Sequence, residues 1–131
     1  MFDERSPIYL QVAERVRADI VNGALSGDEP VTSTTQYAAF HRINPATVAK
    51  AYQQLVDEGL LYKKRGIGMF VTPAARSVLL GQRRERFFTE VVDAMVEEAR
   101  TIGVPLGEVI ERLRQAEGAE AVHGTPRRGE R

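Results

Sequence analysis

Ile8, Val12, Val16 and Ile20 recur every four residues through an otherwise polar stretch, which predicts a helix with one apolar stripe. Ser6-Pro7 reads as its start, a hydroxyl N-cap followed by proline at the first helical position. Asn22-Gly23 reads as its stop. "LSGDEP" predicts a loop. A short helix over "QYAAFHR" follows, begun by Ser33, Thr34 or Thr35. Ile43-Asn44 is a turn, with Asn44 capping the next helix and Pro45 in its first position. Val48, Ala51, Tyr52, Leu55 and Val56 line one face of that helix, which ends at Gly59. The rhythm then changes. "LLYKKRGIGMFV" holds two short β-prone runs around a basic tip and predicts a hairpin, Leu60 to Lys63 and Gly68 to Val71, closed by Thr72-Pro73. A long helix is expected from Ala74 to Ile102, with Phe88, Val92, Met95, Val96 and Ala99 along one side, until Gly103 to Pro105 breaks it. Leu106, Val109, Ile110 and Leu113 give a last amphipathic helix. The stretch 118–131 has no periodicity and is expected to be a disordered tail.

Composition narrows the class. A chain of 131 residues, 43% hydrophobic, has room for one small domain and an appendage. It has no cysteine, hence no disulfide, thiolate nucleophile or cysteine-based zinc site. The two histidines, His41 and His123, belong to no cluster with metal-ligand spacing, so neither metal nor cofactor is expected. No nucleophile–base or paired-carboxylate motif points to an enzyme. The N-terminus is unlike a signal peptide, and no apolar run approaches the roughly 18 residues of a membrane span. A soluble, cytoplasmic chain is expected.

Charge is balanced overall, 18 Lys+Arg against 18 Asp+Glu, but not locally. Val31 to Val56 contains no acid; Asp57 and Glu58 follow; Gly59 to Arg84 is again free of acids. Three helices and then a hairpin is the order of a winged helix-turn-helix, an α+β fold that is mostly α. In it the third helix presents its N-terminal residues to base edges in the major groove. Acids near that tip would repel phosphates. Ala46 is small enough to approach a thymine methyl. Thr47 can hydrogen-bond a base or phosphate, and Lys50 can reach a guanine or phosphate. Lys63, Lys64 and Arg65 suit a wing that lies along phosphates or dips into the minor groove, with Gly66 and Gly68 allowing positive φ. Ser33, Thr34 and Thr35 serve as caps whose hydroxyls could also bind phosphate. Taken singly, each feature has an ordinary structural role; their order and the charge gap together favour DNA.

"INPATVAKAYQQLVDEGLLYKKRGIGMFV" resembles the N-terminal domain of GntR-type bacterial transcription regulators, and "SPIYLQVAERVRADIVNGAL" is similar to that family's first helix. The resemblance covers roughly residues 6 to 72. The short two-helix tail looks like the YtrA subfamily, whose members are dimeric regulators that often repress operons for ABC-type transporters or envelope stress. Two departures stand out. "TSTT" replaces the family's Pro-Ser-x-Arg, with Thr35 where a DNA-contacting arginine would sit. Asn44-Pro45 and Ala49 replace Ser-Arg and a basic residue, leaving Lys50 as the cation of the third helix. The expected interface therefore comprises Tyr9, Ser33, Thr34, Thr35, Arg42, Asn44, Ala46, Thr47, Lys50, Lys63, Lys64, Arg65, Gly66 and Gly68. Residues 1–72 are expected to form the DNA-binding domain and 74–117 a dimerising region. The function implied is a homodimeric repressor on an inverted repeat. The rival is a winged helix used as a protein-interaction or non-specific architectural module. Operator sequence, regulated genes and any small-molecule effector stay open.

Overall fold

The computed structural model describes residues 2–122. The elements are α1 (Ile8–Val21), α2 (Thr34–His41), α3 (Pro45–Asp57), β1 (Leu61–Lys64), β2 (Gly68–Val71), α4 (Ala75–Arg86), a π-helical stretch (Phe87–Val92), α5 (Asp93–Ile102) and α6 (Leu106–Val122). The chain divides into a unit ending at Arg84 and a second beginning at Glu85.

The stripe read from α1 is the core of the first unit. Val12, Val16 and Ile20 are buried with Val48, Ala51, Tyr52 and Leu55 of α3 and with Leu60, Leu61 and Val71 around the hairpin. Ala75 and Leu79 of α4 close the same cluster. The core is apolar except for the Tyr52 hydroxyl, which donates to the Thr32 carbonyl at 2.7 Å, and no buried side-chain nitrogen or oxygen is left unmatched among the described residues.

Local chemistry sets most boundaries. The Ser33 side chain accepts from the Gln36 N–H and starts α2; the Asn44 side chain accepts from the Ala46 N–H and starts α3. Gly59, at φ 79°, ends α3 in a Schellman arrangement: its N–H reaches the Val56 carbonyl and the Leu60 N–H the Leu55 carbonyl. That bond takes the Leu60 N–H while the Leu60 carbonyl accepts from Thr72, and β1 runs from Leu61 to Lys64, one residue later than the expected Leu60 to Lys63.

Four further expectations are revised. Pro7, not Ser6, is the N-cap of α1, and no side chain caps it. The Pro7 carbonyl accepts from Leu10 and Gln11, while the Gln11 amide ties down the Ser6 and Asp3 carbonyls. "LSGDEP" is not all loop. Asp28, at φ 67°, donates its N–H to Val71 O, Val71 N–H returns to Glu29 O, and Val31 N–H reaches Met69 O. Asp28 to Val31 thus lies along β2 as a third edge, with Pro30, which lacks an N–H, opposite Phe70. The helical run from Ala75 to Ile102 is not uniformly α, since Phe87–Val92 is π-helical. Finally, α6 runs to Val122, so helix replaces the irregular tail expected from Gly118. Alanine and glutamate carry the helix past that glycine, at a cost of about 1 kcal/mol. Residues 123–131 of the expected tail, His123 among them, lie outside the described residues.

The returning acid Glu58 has a structural task. The Arg17 guanidinium holds it with Nη2 at 2.9 Å and 3.0 Å and Nε at 3.2 Å, and the Gln54 amide donates to it as well. This pins α1 to the C-terminal end of α3. Burial pushes the Glu58 carboxyl up, but the bonds from Arg17 and Gln54 outweigh it, and the group sits below its ordinary 4.5. A lowered folded-state value means stability that is present above the ordinary carboxylate range and lost as pH falls through the lowered one. For a partly exposed pair, Glu58→Gln should cost about 0.5–1 kcal/mol at neutral pH. The variant's melting temperature should converge on that of the unmodified chain as pH falls below 4.5 and through the lowered value. Thermal scans across that range check it; parallel curves at every pH would show that the pair contributes nothing.

Candidate nucleic-acid interface

Residues of three elements line one groove. A groove of about 340 Å³ is lined by Ser33 and Thr34 at the start of α2, Ala49 and Gln53 on α3, and Lys63 and Met69 on the wing. The register explains Lys63. It pairs with Met69 and shares the inward face of the hairpin with Leu61 and Val71, so its side chain turns toward α3. Lys64 pairs with Gly68 on the outer face, where its ammonium lies 4.6 Å from the Phe70 ring centroid and Phe70 stacks on Tyr62. The Tyr62 hydroxyl donates to Asp28 at 2.8 Å, fixing the wing's third edge.

The tip of α3 presents Asn44, Pro45, Ala46 and Lys50 exposed and Thr47 half-buried. Lys50 does not wave freely: its Nζ sits 4.1 Å from the Tyr9 ring centroid, an α1–α3 cation–π contact. Tyr9 and Lys50 are distant in the chain and the fold makes them one feature. Arg42 lies in the turn between α2 and α3 with φ 58° and ψ 48°, a left-handed conformation that glycine or asparagine would adopt with less strain. Its N–H caps the Ala38 carbonyl. Thr35 is exposed in the first turn of α2. Gly66 and Gly68 both hold positive φ, 76° and 147°.

Two residues of this face escape the sequence pattern. Gln53 lines the groove but donates to Asp57, one turn on. Ile67, at the wing tip, is 72% exposed. Its signal in the sequence is a lone branched apolar residue between two glycines. His41 has a packing role, with its ring 4.2 Å from Tyr37, 4.9 Å from Phe40 and 5.7 Å from Phe2 between centroids. Among the described residues no cluster of side chains could hold a metal ion, and no helix is long and apolar enough to cross a membrane.

The second unit distributes its apolar residues unevenly. Ala99, expected on the dimer face, is 5% exposed and packs within the chain. Val92, Val96 and Val109 are half-buried. Phe88, Met95, Leu106, Ile110 and Leu113 are exposed, as are Phe87 and Val91, which the sequence stripe left out. Met95, Val104, Val109 and Leu113 line an open groove of about 440 Å³ between α5 and α6, rimmed by Glu108, Glu111 and Arg112.

Residues 8–71 match the family of bacterial regulatory proteins designated gntR. The chain is 42% identical over 76 residues to the transcriptional repressor NagR of Bacillus subtilis, but spans only 31% of that protein's length. It is 27% identical over 115 residues to the transcriptional repressor YtrA of the same organism, covering 86% of this chain and 88% of YtrA. A crystal structure of a GntR-family transcriptional regulator from Bacteroides thetaiotaomicron superposes with a TM-score of 0.69 at 30% identity, over 86% of this chain and 98% of that one. The DNA-binding domain of AraR, solved in complex with its operator ORX1, aligns at 28% identity and TM-score 0.52, over 55% of this chain and 93% of that one.

Proposed function

The chain belongs to the GntR family of bacterial DNA-binding transcription regulators, and on that premise we propose that it is a repressor that grips an inverted-repeat operator as a homodimer. The observation that carries this reading is the acid-free run from Val31 to Val56, which holds α2 and the exposed tip of α3, beside a groove shared by the start of α2, the middle of α3 and the wing. The similarity to AraR, whose DNA-binding domain is solved on an operator, supports using that face for duplex DNA. The similarity to the repressor YtrA, over 88% of that protein, supports the direction of control.

In this reading Ala46, Thr47 and Lys50 meet base edges in the major groove, the positive end of α3 faces phosphate, and the contact with Tyr9 restrains Lys50 so that less side-chain freedom is lost on binding. Ser33, Thr34 and Thr35 donate hydroxyls to backbone phosphates; threonine at 35 gives a shorter, uncharged contact than an arginine would. Arg42, strained at the turn, reaches the same backbone. The exposed side chains Phe87, Val91, Met95, Ile110 and Leu113 are too many for two helices to cover within one chain, and the same face of a second copy would close a four-helix core with two-fold symmetry.

Selection of bound sequences from a random duplex pool tests the proposal. One inverted repeat, with half-sites about one helical turn or a multiple apart, should be preferred over random duplex by at least ~1000-fold. No such gap would leave an architectural or protein-docking module. Neutralising Lys63, Lys64 and Arg65 together should weaken binding to all duplexes alike. It should also flatten the salt dependence, by up to ~0.9 for each phosphate no longer neutralised. An unchanged slope in titrations at several salt concentrations would take the wing off the DNA.

A further inference from the structure

The wing tip carries a side chain that the phosphate contacts do not use. Ile67 is 72% exposed, and its N–H closes the turn onto the Lys64 carbonyl at 2.9 Å, so its backbone position is fixed. On either side stand Gly66 and Gly68, both at positive φ, and a Cβ built on either would meet nothing within 4 Å. The glycines therefore relieve no crowding inside the protein; they shape the turn and leave the outer surface beside Ile67 bare. Hairpin tips draw their residues from polar turn formers. A branched apolar side chain held out in water there contributes nothing to the core. Arg65 lies in the same turn, and Lys64 is drawn back over Phe70. The tip is thus a thin backbone edge bearing one apolar prong with cations behind it.

The minor groove is about 6 Å wide, and its walls of deoxyribose are apolar. Proteins that enter it place an apolar residue against a base step and charged residues on the flanking phosphates, which costs least at steps that unstack readily. We propose that Ile67 is an apolar wedge that enters the minor groove beside the half-site read by α3 and selects a pyrimidine–purine step there. The inference rests on the wing meeting DNA as proposed above.

A panel of duplexes with identical half-sites, differing only in the flanking step, tests it with the full chain. The unmodified protein should favour TA or CA over GC at one flanking position by about 10-fold. Ile67→Ala should shrink that preference to about two-fold or less, while Ile67→Leu keeps most of it. A fluorescent adenine analogue at the step should brighten on binding with Ile67 or Leu and not with Ala. Equal flanking preference in Ile67→Ala, or none in the unmodified chain, overturns the wedge. Mismatches inside the half-site, titrated alongside, separate the two readings: if these are discriminated and the flank is not, only the wedge fails; if neither is, the regulator reading fails with it.

Discussion

Replacing Lys50 or Thr47 by alanine is expected to cost about 1–3 kcal/mol of operator affinity each, roughly 5- to 150-fold. Both lie on the N-terminal half of α3, away from its buried stripe, so the loss should appear in binding far more than in folding. The geometry sharpens the expectation for Lys50. Its ammonium rests 4.1 Å from the Tyr9 ring centroid, and an exposed cation–π contact contributes about 0.5–1 kcal/mol. Lys50→Ala should therefore lower the melting temperature by a few degrees, whereas Thr47→Ala should barely move it. Tyr9→Leu keeps the apolar character and loses the ring. It should weaken operator binding in the same direction as Lys50→Ala but by less, and the double variant should lose less than the sum of the two, because both act through one side chain. Titration of the four proteins on one operator decides it. Full affinity in both single α3 variants would end the assignment of α3 as the reading helix. Additive losses would mean that Tyr9 does not act through Lys50.

Cutting the chain after Arg84 should leave a folded monomer that binds the full operator about 100-fold more weakly, for the reason of tethering given below. The position of the cut matters. Ala75 and Leu79 belong to the core of the first unit and are 0% and 4% exposed, so a fragment ending before Leu79 would open that core and confuse unfolding with loss of dimerisation. A fragment of residues 1–84 keeps α1 to α3, the hairpin and the buried part of α4. It lacks Phe87, Val91, Met95, Ile110 and Leu113, of which Val91 and Leu113 are 54% and 55% exposed. If a lone winged helix holds its half-site near ~10 µM, between the non-specific and specific ranges, a tethered second copy at an effective ~1 mM strengthens binding by about 100-fold. Sedimentation gives the assembly state and titration the affinity. A fragment that remains dimeric, or binds as tightly as the whole chain, would show that Glu85 onward is not the dimerising element.

Much of what a few neighbouring residues decide was legible in the chain before it was folded, although the cap of α1 and the end of α6 were not. Asn44 caps α3 because its side chain reaches an N–H two residues on, and Gly59 ends it because the bonds it needs span five residues. The four-residue stripe of α1 and the basic hairpin tip could be read for the same reason, as could the absence of acids around α3. Packing settled whatever depends on which distant residues meet. Nothing in the pattern places Tyr9 under Lys50, gives Glu58 to Arg17, or lays Asp28 to Val31 along β2, since each requires elements to be docked before the partners come within reach. The same limit applies to two apolar residues. Ala99 and Ile67 have similar claims to a hydrophobic role on sequence alone, yet one is packed away and the other stands at the wing tip. Periodicity tells which side of an element a residue occupies; only the docked neighbours tell whether that side is covered.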